Sequence, residues 1–221
     1  VLEPASLRRN PHLAFAESVQ NVSKVEAEAV VWPISRARVT ADFIPSLMSK
    51  PHSGTYTSAS GVLIYGGTGL GDGFDGNAFI CESAQNLVQR QVRRSEGATF
   101  RAELAARGSE FLASTDSWFR PVSLANGPDG ALYVVDMCRR EIDHPAYVPE
   151  ESRGKLDFAS GGELGRIYRI VAQNTRASAP AELSNTGLVR ALESPDSWWR
   201  ELARRLLIER GAAETVDAIE R

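Results

Sequence analysis

One stretch restricts this chain more than any other. Pro121-Val122-Ser123-Leu124-Ala125-Asn126 reads as a strand, Gly127-Pro128-Asp129-Gly130 as a tight turn, and Ala131-Leu132-Tyr133-Val134-Val135-Asp136 as the strand that returns. Proline presets its own φ, and Asp-Gly supplies the positive φ that a hairpin turn requires. Similar short runs surround it: 61–65, 77–81, 87–92, 99–104, 111–113 and 165–171. In the last of these Ile167 and Tyr168 fall on opposite faces, as in a half-exposed strand. Many short strands divided by turn signals predict a mainly β chain built as a sandwich, a barrel or a propeller.

Size and charge narrow the function classes. The chain has 221 residues, 43% of them apolar and 24% charged, an ordinary globular composition. A net charge of −3 gives no reason to expect a nucleic-acid or anionic-membrane partner. No apolar run reaches the roughly 20 residues that span a bilayer. The chain begins at Val1, without Met or a signal peptide, in a segment that reads as mid-protein. Both ends are therefore read as places where a parent protein continues.

Three regions follow from composition. Residues 1–171 form the β part, with 1–55 as an irregular lead-in in which 7–11 and 30–33 look ordered. Residues 172–182 are small and polar and read as a linker. Residues 183–221 turn helical. Ser194-Pro195-Asp196 carries helix-start chemistry, with Ser as the cap, Pro in the first turn and Asp at the positive end of the dipole. Trp198, Leu202 and Leu206 share a face, joined by Trp199, Ala203 and Leu207, and Gly211 supplies a C-terminal cap. Short helices at 188–192 and 213–219 complete a helix-turn-helix stack, which needs further repeats to bury its apolar face.

Several motifs carry little. Cys81 and Cys138 form neither CxxC nor CxxCH, so this segment has no c-type haem site and no zinc knuckle. They read as small buried hydrophobes, with a disulfide as the alternative. Gly71-Asp72-Gly73-Phe74-Asp75-Gly76 satisfies GxGxxG, but a strand follows it rather than the helix that dinucleotide binding requires. Asp72, Asp75 and Asn77 do not have EF-hand spacing, so the segment reads as a flexible inter-strand loop. Asn21-Val22-Ser23 is a glycosylation sequon of a kind that arises by chance.

The run Phe111–Met137, with Gly76–Glu82, Ile142-Asp143-His144-Pro145 and Gly165–Ile170, resembles the late blades of the membrane-bound dehydrogenases of Planctomycetes and Verrucomicrobia. The likeness covers roughly residues 5–171, and the helical end resembles the HEAT-type repeats that follow the propeller in that family. The family is similar in turn to the soluble glucose and sorbosone dehydrogenases. The resemblance implies the C-terminal blades of a six-bladed quinoprotein propeller, with PQQ and Ca²⁺ at the mouth of its central channel. It also implies a periplasmic or extracytoplasmic location, and haem c in a further cytochrome domain. Membrane association would come only through parts not present here. The early blades and the catalytic-base histidine expected in them lie outside this sequence, so the segment by itself is expected to be inactive.

Site residues are assigned within that frame. Arg120 precedes the strand 121–126, where the related enzymes place an arginine against the cofactor. PQQ carries carboxylates, and a guanidinium binds a carboxylate with a planar fork. A salt bridge or strand-end packing is the alternative for Arg120. Thr57, Ser58 and Ser60 hold the equivalent place one blade earlier, as cofactor-bonding hydroxyls or as turn caps. Glu82, Gln85 and Asn86 flank the turn where the related enzymes hold the quinone, although a glutamate would repel a tri-acid unless a cation intervened. Asp136 ends its strand, where it could orient Arg120 or a cation, or simply close a turn. His144 is the weak candidate for a general base, against a structural role; His12 and His52 sit in loops. Two functions remain open. One is a segment of a dehydrogenase that oxidises a sugar or polyol and passes electrons to a cytochrome. The other is a non-catalytic propeller and HEAT scaffold that binds carbohydrate or protein.

Overall fold

The computed structural model describes residues 30–35, 54–97, 99–173 and 183–219. The chain divides into two units, 1–30 and 31–221, and the account below concerns the second. The expectations for 7–11, His12, the sequon at 21–23, His52 and most of the linker fall outside the described residues.

The second unit is mainly β, as the turn-and-strand pattern predicts. Four strands form an antiparallel meander in chain order: β1 (Ala59–Ile64), β2 (Ala78–Glu82), β3 (Leu87–Glu96) and β4 (Thr99–Leu104). A two-residue strand, β5 (Leu112–Ala113), pairs with the start of β3. A second antiparallel sheet holds β6 (Pro121–Asn126), β7 (Leu132–Asp136) and β8 (Arg166–Ile170) in that order. Each of these strands falls on a run read from the sequence. The difference is β3, which continues to Glu96 because Gln91 to Glu96 pair with Leu104 to Thr99 of β4. Residues 93–96 are exposed and polar, so no alternation marks them as strand.

The turn at 127–130 closes as expected. The Gly130 amide donates to the Gly127 carbonyl at 3.0 Å, and Gly130 has φ of +75°, so Asn126 and Leu132 meet in register.

The two sheets meet through their first strands. β1 has one extra residue between Ser60 and Leu63, and β6 has one between Pro121 and Ser123. These bulges face each other, for a β-carbon on Gly61 would lie 2.6 Å from the Val122 carbonyl oxygen and 2.7 Å from the Ser123 Cα. A bulge sharpens local twist, which lets two strand backbones approach where flat strands would hold side chains between them. The core beneath draws on both sheets: Tyr65, Phe79, Cys81 and Val88 pack with Phe119, Leu124, Leu132 and Val134. Burying each such large side chain contributes about 1.5–3 kcal/mol. Phe79 stands edge-on to Tyr65 at 5.9 Å and to Phe111 at 4.8 Å. Cys81 and Cys138 are buried free thiols, in line with their reading as small hydrophobes, and burial pushes the Cys81 thiol up to about 12.

The loop between β1 and β2 is tied at several points. Asn77 Nδ2 donates to the carbonyls of Gly73 and Asp75, Arg90 Nε donates to Asn77 Oδ1, and the Arg90 guanidinium lies 3.9 Å above the Phe74 ring. Asn77 thus works as a loop brace, with its carbonyl oxygen given to Arg90.

After a short helix α1 (Glu150–Arg153), the helical segment contains α2 (Asn185–Ala191), α3 (Ser197–Glu209) and α4 (Val216–Ile219). The cap of α3 is Asp196, not Ser194: Asp196 Oδ1 accepts from the Trp198 amide at 2.9 Å, while Ser194 Oγ accepts from the Asp196 amide. A carboxylate two residues inside the expected start has the same reach to the free amides and also suits the dipole, so it displaces the hydroxyl. Trp199, Ala203 and Leu207 are buried, whereas Trp198 and Leu202 are only half-buried. The helices dock on the sheets. The Ser197 amide donates to the Gly66 carbonyl at 2.7 Å, and Trp199 Nε1 donates to the Pro128 carbonyl at 2.8 Å.

Docking buries the Asp196 carboxyl completely, and its Oδ2 has no hydrogen-bond partner. Burial pushes its pKa up, the Trp198 amide and Arg200 oppose that shift, and Asp129 adds to it. A carboxyl whose folded pKa is raised binds more protons folded than unfolded, so its ionisation costs stability as pH rises from about 4, the usual aspartate value. Asp196→Asn keeps the cap and is expected to show a flatter fall in stability between acid and neutral pH than the wild type. Paired urea titrations at several pH values measure this. Glu82 and Glu110 are also raised by burial but occur in both proteins, so the difference isolates Asp196.

Candidate functional site

Four segments converge where β1 and β6 begin: residues 54–58, the β2–β3 turn at 83–86, residues 114–120, and the end of β7 with 137–140. Most of the sequence-assigned site residues are here; Glu82, Gln85, Asn86, Arg120 and Asp136 are buried, Ser58 and Ser60 half-buried and Thr57 exposed.

Glu82 is fully buried, and its carboxylate is held by the loop before β1. Its oxygens accept from the Thr57 amide at 3.0 Å, the Thr57 hydroxyl at 3.1 Å and the Ser58 amide at 2.9 Å. Burial raises its pKa, and these bonds pull in the opposite direction. Thr57 and Ser58 therefore hold Glu82 in place. Gln85 straps the same loop, accepting from the Gly54 amide at 2.8 Å and donating to the Thr55 carbonyl. Ser60 Oγ lies 3.4 Å from Ser83 Oγ, and Ser83 donates across to the Pro121 carbonyl at the head of β6.

Asn86 has φ of +60°, a conformation that asparagine tolerates better than most residues. From there its Nδ2 donates to the Phe119 carbonyl at 2.6 Å and to that of Ser117 at 3.3 Å.

Arg120 is the centre of this region, and only 5% of it is exposed. Its Nε donates to the Arg139 carbonyl at 3.0 Å, Nη1 to the carbonyls of Ser83 at 3.0 Å and Ala84 at 2.9 Å, and Nη2 to the Arg140 carbonyl at 2.6 Å. Burial lowers its pKa, and the carboxylates of Glu141, Asp143, Asp116 and Asp136 oppose that. Asp136 holds the same segment from the other side. Its Oδ1 accepts from the amides of Arg120 at 2.7 Å and Cys138 at 2.8 Å, and its Oδ2 pairs with Arg166 Nε at 2.7 Å. Arg166 continues to Asp116 at 3.2 Å.

The fit to a quinone can be tested on these bonds. A guanidinium has five N–H donors, and Arg120 directs four of them at backbone carbonyls. A bidentate grip on a cofactor carboxylate would strip donors from carbonyls that are themselves part of the joint. Glu82 and Asp136 likewise spend their oxygens on this chain's own amides and on Arg166. As placed, Arg120, Glu82 and Asp136 do not form an open cradle for PQQ; they lock two sheets and a turn together. His144 is exposed. Its Nδ1 accepts from the Ala146 amide at 3.1 Å and caps a single turn at Pro145–Tyr147, the structural alternative considered for it.

Sequence reasoning missed a second polar cluster beside the first. Tyr56 donates to Gln89 Oε1 at 2.8 Å, Gln89 donates to Glu110 at 3.2 Å, and the Trp32 amide donates to Glu110 at 2.9 Å. Gln89 alternates onto the same strand face as the apolar Leu87, and that mismatch was the signal available in the sequence.

A family model described as a domain of unknown function, DUF7133, matches residues 1–174. The chain belongs to this family. The DUF7133 region thus takes in both sheets and ends before the helices that dock on them. No curated protein and no solved structure matches the chain.

Proposed function

We propose that the chain is a framework portion of a β-propeller: two neighbouring blades of a six-bladed ring, with the start of a HEAT-type array seated on both. The observation that carries this reading is the meeting of β1 and β6. Each leads an antiparallel meander, and each bulges toward the other at Gly61 and Val122. First strands side by side, with their sheets fanning away, is the relation between neighbouring blades. The parent, by the resemblance of Phe111–Met137, oxidises a sugar or polyol outside the cytoplasm with PQQ and Ca²⁺ and hands electrons to a cytochrome. In that parent this portion aligns the blades, and the groups that touch cofactor and substrate are other than Arg120, Glu82 and Asp136. The closed bonding of those residues also favours a second reading, a scaffold that binds carbohydrate or protein without catalysis.

Dye reduction by the parent protein, across a panel of sugars and polyols with PQQ and Ca²⁺ added, separates the two readings. Reduction that requires PQQ supports the dehydrogenase, and its absence with every substrate leaves the scaffold. Arg120→Lys tests the framework role within either reading. The expected outcome is a lower melting temperature with unchanged affinity for PQQ in the folded protein. Lost PQQ affinity at an unchanged melting temperature would return Arg120 to the cofactor.

A further inference from the structure

The helices and the sheets each have a core of their own. Leu188, Ala191, Ala203, Leu207 and Ala212 pack on one another, and none of them belongs to the cluster beneath the sheets. A polar seam at the start of α3 joins the two cores. The Ser197 amide bonds the Gly66 carbonyl, and the Trp199 indole bonds the Pro128 carbonyl. Asn126 spans the seam, accepting from the Gly66 amide at 3.3 Å and donating to Ser197 Oγ at 3.4 Å. Two glycines make room for this seat, Gly66 after β1 and Gly130 in the turn before β7. A β-carbon on Gly66 would collide with the Ser197 side chain, and one on Gly130 would stand 3.0 Å from Asp196 Oδ2.

A carboxyl lies inside this seam with half its hydrogen bonding unmet. Asp196 is fully buried; its Oδ1 serves the Trp198 amide, and its Oδ2 bonds nothing. The groups that face it come from both sides of the seam. Asp129, on the turn that carries Gly130, is paired with Arg169 and sets a like charge against Asp196. Arg200, on α3, attracts the carboxylate, but its Nη1 is given to the Ser194 carbonyl. The Tyr65 phenol stands on the sheet side and donates to the Gly130 carbonyl, so it offers Asp196 no hydrogen. An ionised Asp196 in its seat therefore keeps one oxygen dry and unbonded while another carboxylate repels it. Burial penalises that form far more than the neutral acid, and opening the seam lets water reach it.

We propose that Asp196 is a proton-operated latch between the helical segment and the sheets: protonated, it lets α3 seat on Gly66 and Gly130, and ionised, it loosens that seat while both cores stay packed. The inference uses the seam alone and stands whether or not the sheets are propeller blades. It goes beyond a stability effect spread over the chain, because two separate cores allow the seam to open before either of them unfolds. Burial raises the folded pKa of Asp196, so the seated form holds its proton more tightly than the open form. Docking is then strongest in acid and weakens as pH rises above about 4, the usual aspartate value.

Hydrogen exchange of the whole chain tests it, followed by mass spectrometry from about pH 4 to about pH 7 and corrected for the intrinsic pH dependence of amide exchange. The reporter is the peptide that holds the Ser197 amide, whose partner is the Gly66 carbonyl across the seam. Its protection is expected to fall about threefold or more over that range, relative to a peptide from β7. In Asp196→Asn, which keeps the cap, the fall disappears. Asp129→Asn removes the like charge and leaves a smaller fall. Protection at Ser197 that is constant with pH overturns the proposal. So does a fall that Asp196→Asn retains, or one that the β7 peptide shares in full, since the chain would then be unfolding as a whole.

Discussion

Arg120→Met is expected to destabilise the chain by about 3–5 kcal/mol, the cost of breaking a buried charged network from one side. The figure follows from what is left behind. Removing the guanidinium takes the donors from the carbonyls of Ser83, Ala84, Arg139 and Arg140 at once. Each buried carbonyl without a partner costs about 1–3 kcal/mol, less where water enters. Those carbonyls belong to the turn after β2 and the segment after β7, so the loss falls on the joint between the two sheets. Urea unfolding of the wild type and variant measures the effect. A midpoint shift worth less than about 1 kcal/mol would show that Arg120 is not a structural clamp. The same measurement on Asp136→Asn should show a smaller loss, since an amide can still accept from the Arg120 and Cys138 amides but forfeits the charge opposite Arg166.

Gly61→Ala is expected to cost about 3 kcal/mol through two separate terms. The backbone there has φ of +54°, and a non-glycine residue in that region is strained by about 1–2 kcal/mol. The added methyl would also stand 2.6 Å from the Val122 carbonyl oxygen, and forcing a methyl into a close-packed contact costs about 1–3 kcal/mol. The molecule supplies its own control. Gly71 has φ of +86° but nothing within 4 Å of where its β-carbon would go. Gly71→Ala therefore carries strain alone, about 1–2 kcal/mol. If the two variants unfold at the same midpoint, β1 and β6 do not approach as closely as described, and the contact between the sheets would have to be reconsidered.

How much of this could be read beforehand depends on where the partners lie. The turn at Gly127–Gly130 was legible because its chemistry is local: one glycine needs positive φ, and the residues that supply it are adjacent. The eight strands were legible for the same reason, except the outer half of β3, whose residues are polar on both faces. Candidate positions were also legible, since a polar residue beside an apolar run marks a strand end. Their roles were not. Arg120 bonds carbonyls that lie 19 to 37 residues away, and every residue has a carbonyl, so nothing in the sequence marks which ones will converge. Glu82 shows the same blindness from the acid side. Its partners, the amides of Thr57 and Ser58, lie 25 and 24 residues away and carry no mark in the sequence. The cap of α3 was misplaced by two residues because Ser194 and Asp196 have nearly equal reach to the free amides, and the dipole favours the carboxylate.

The seating of Trp199 on the Pro128 carbonyl has a mechanical corollary. With Ser197 fastened to Gly66 beside it, the first repeat is gripped at both the bend of one hairpin and the loop of its neighbour. Any superhelix extending from α3 would then inherit its heading from the sheets. A load applied to such an arm would be shared between the 126–132 bend and the loop that carries Gly66.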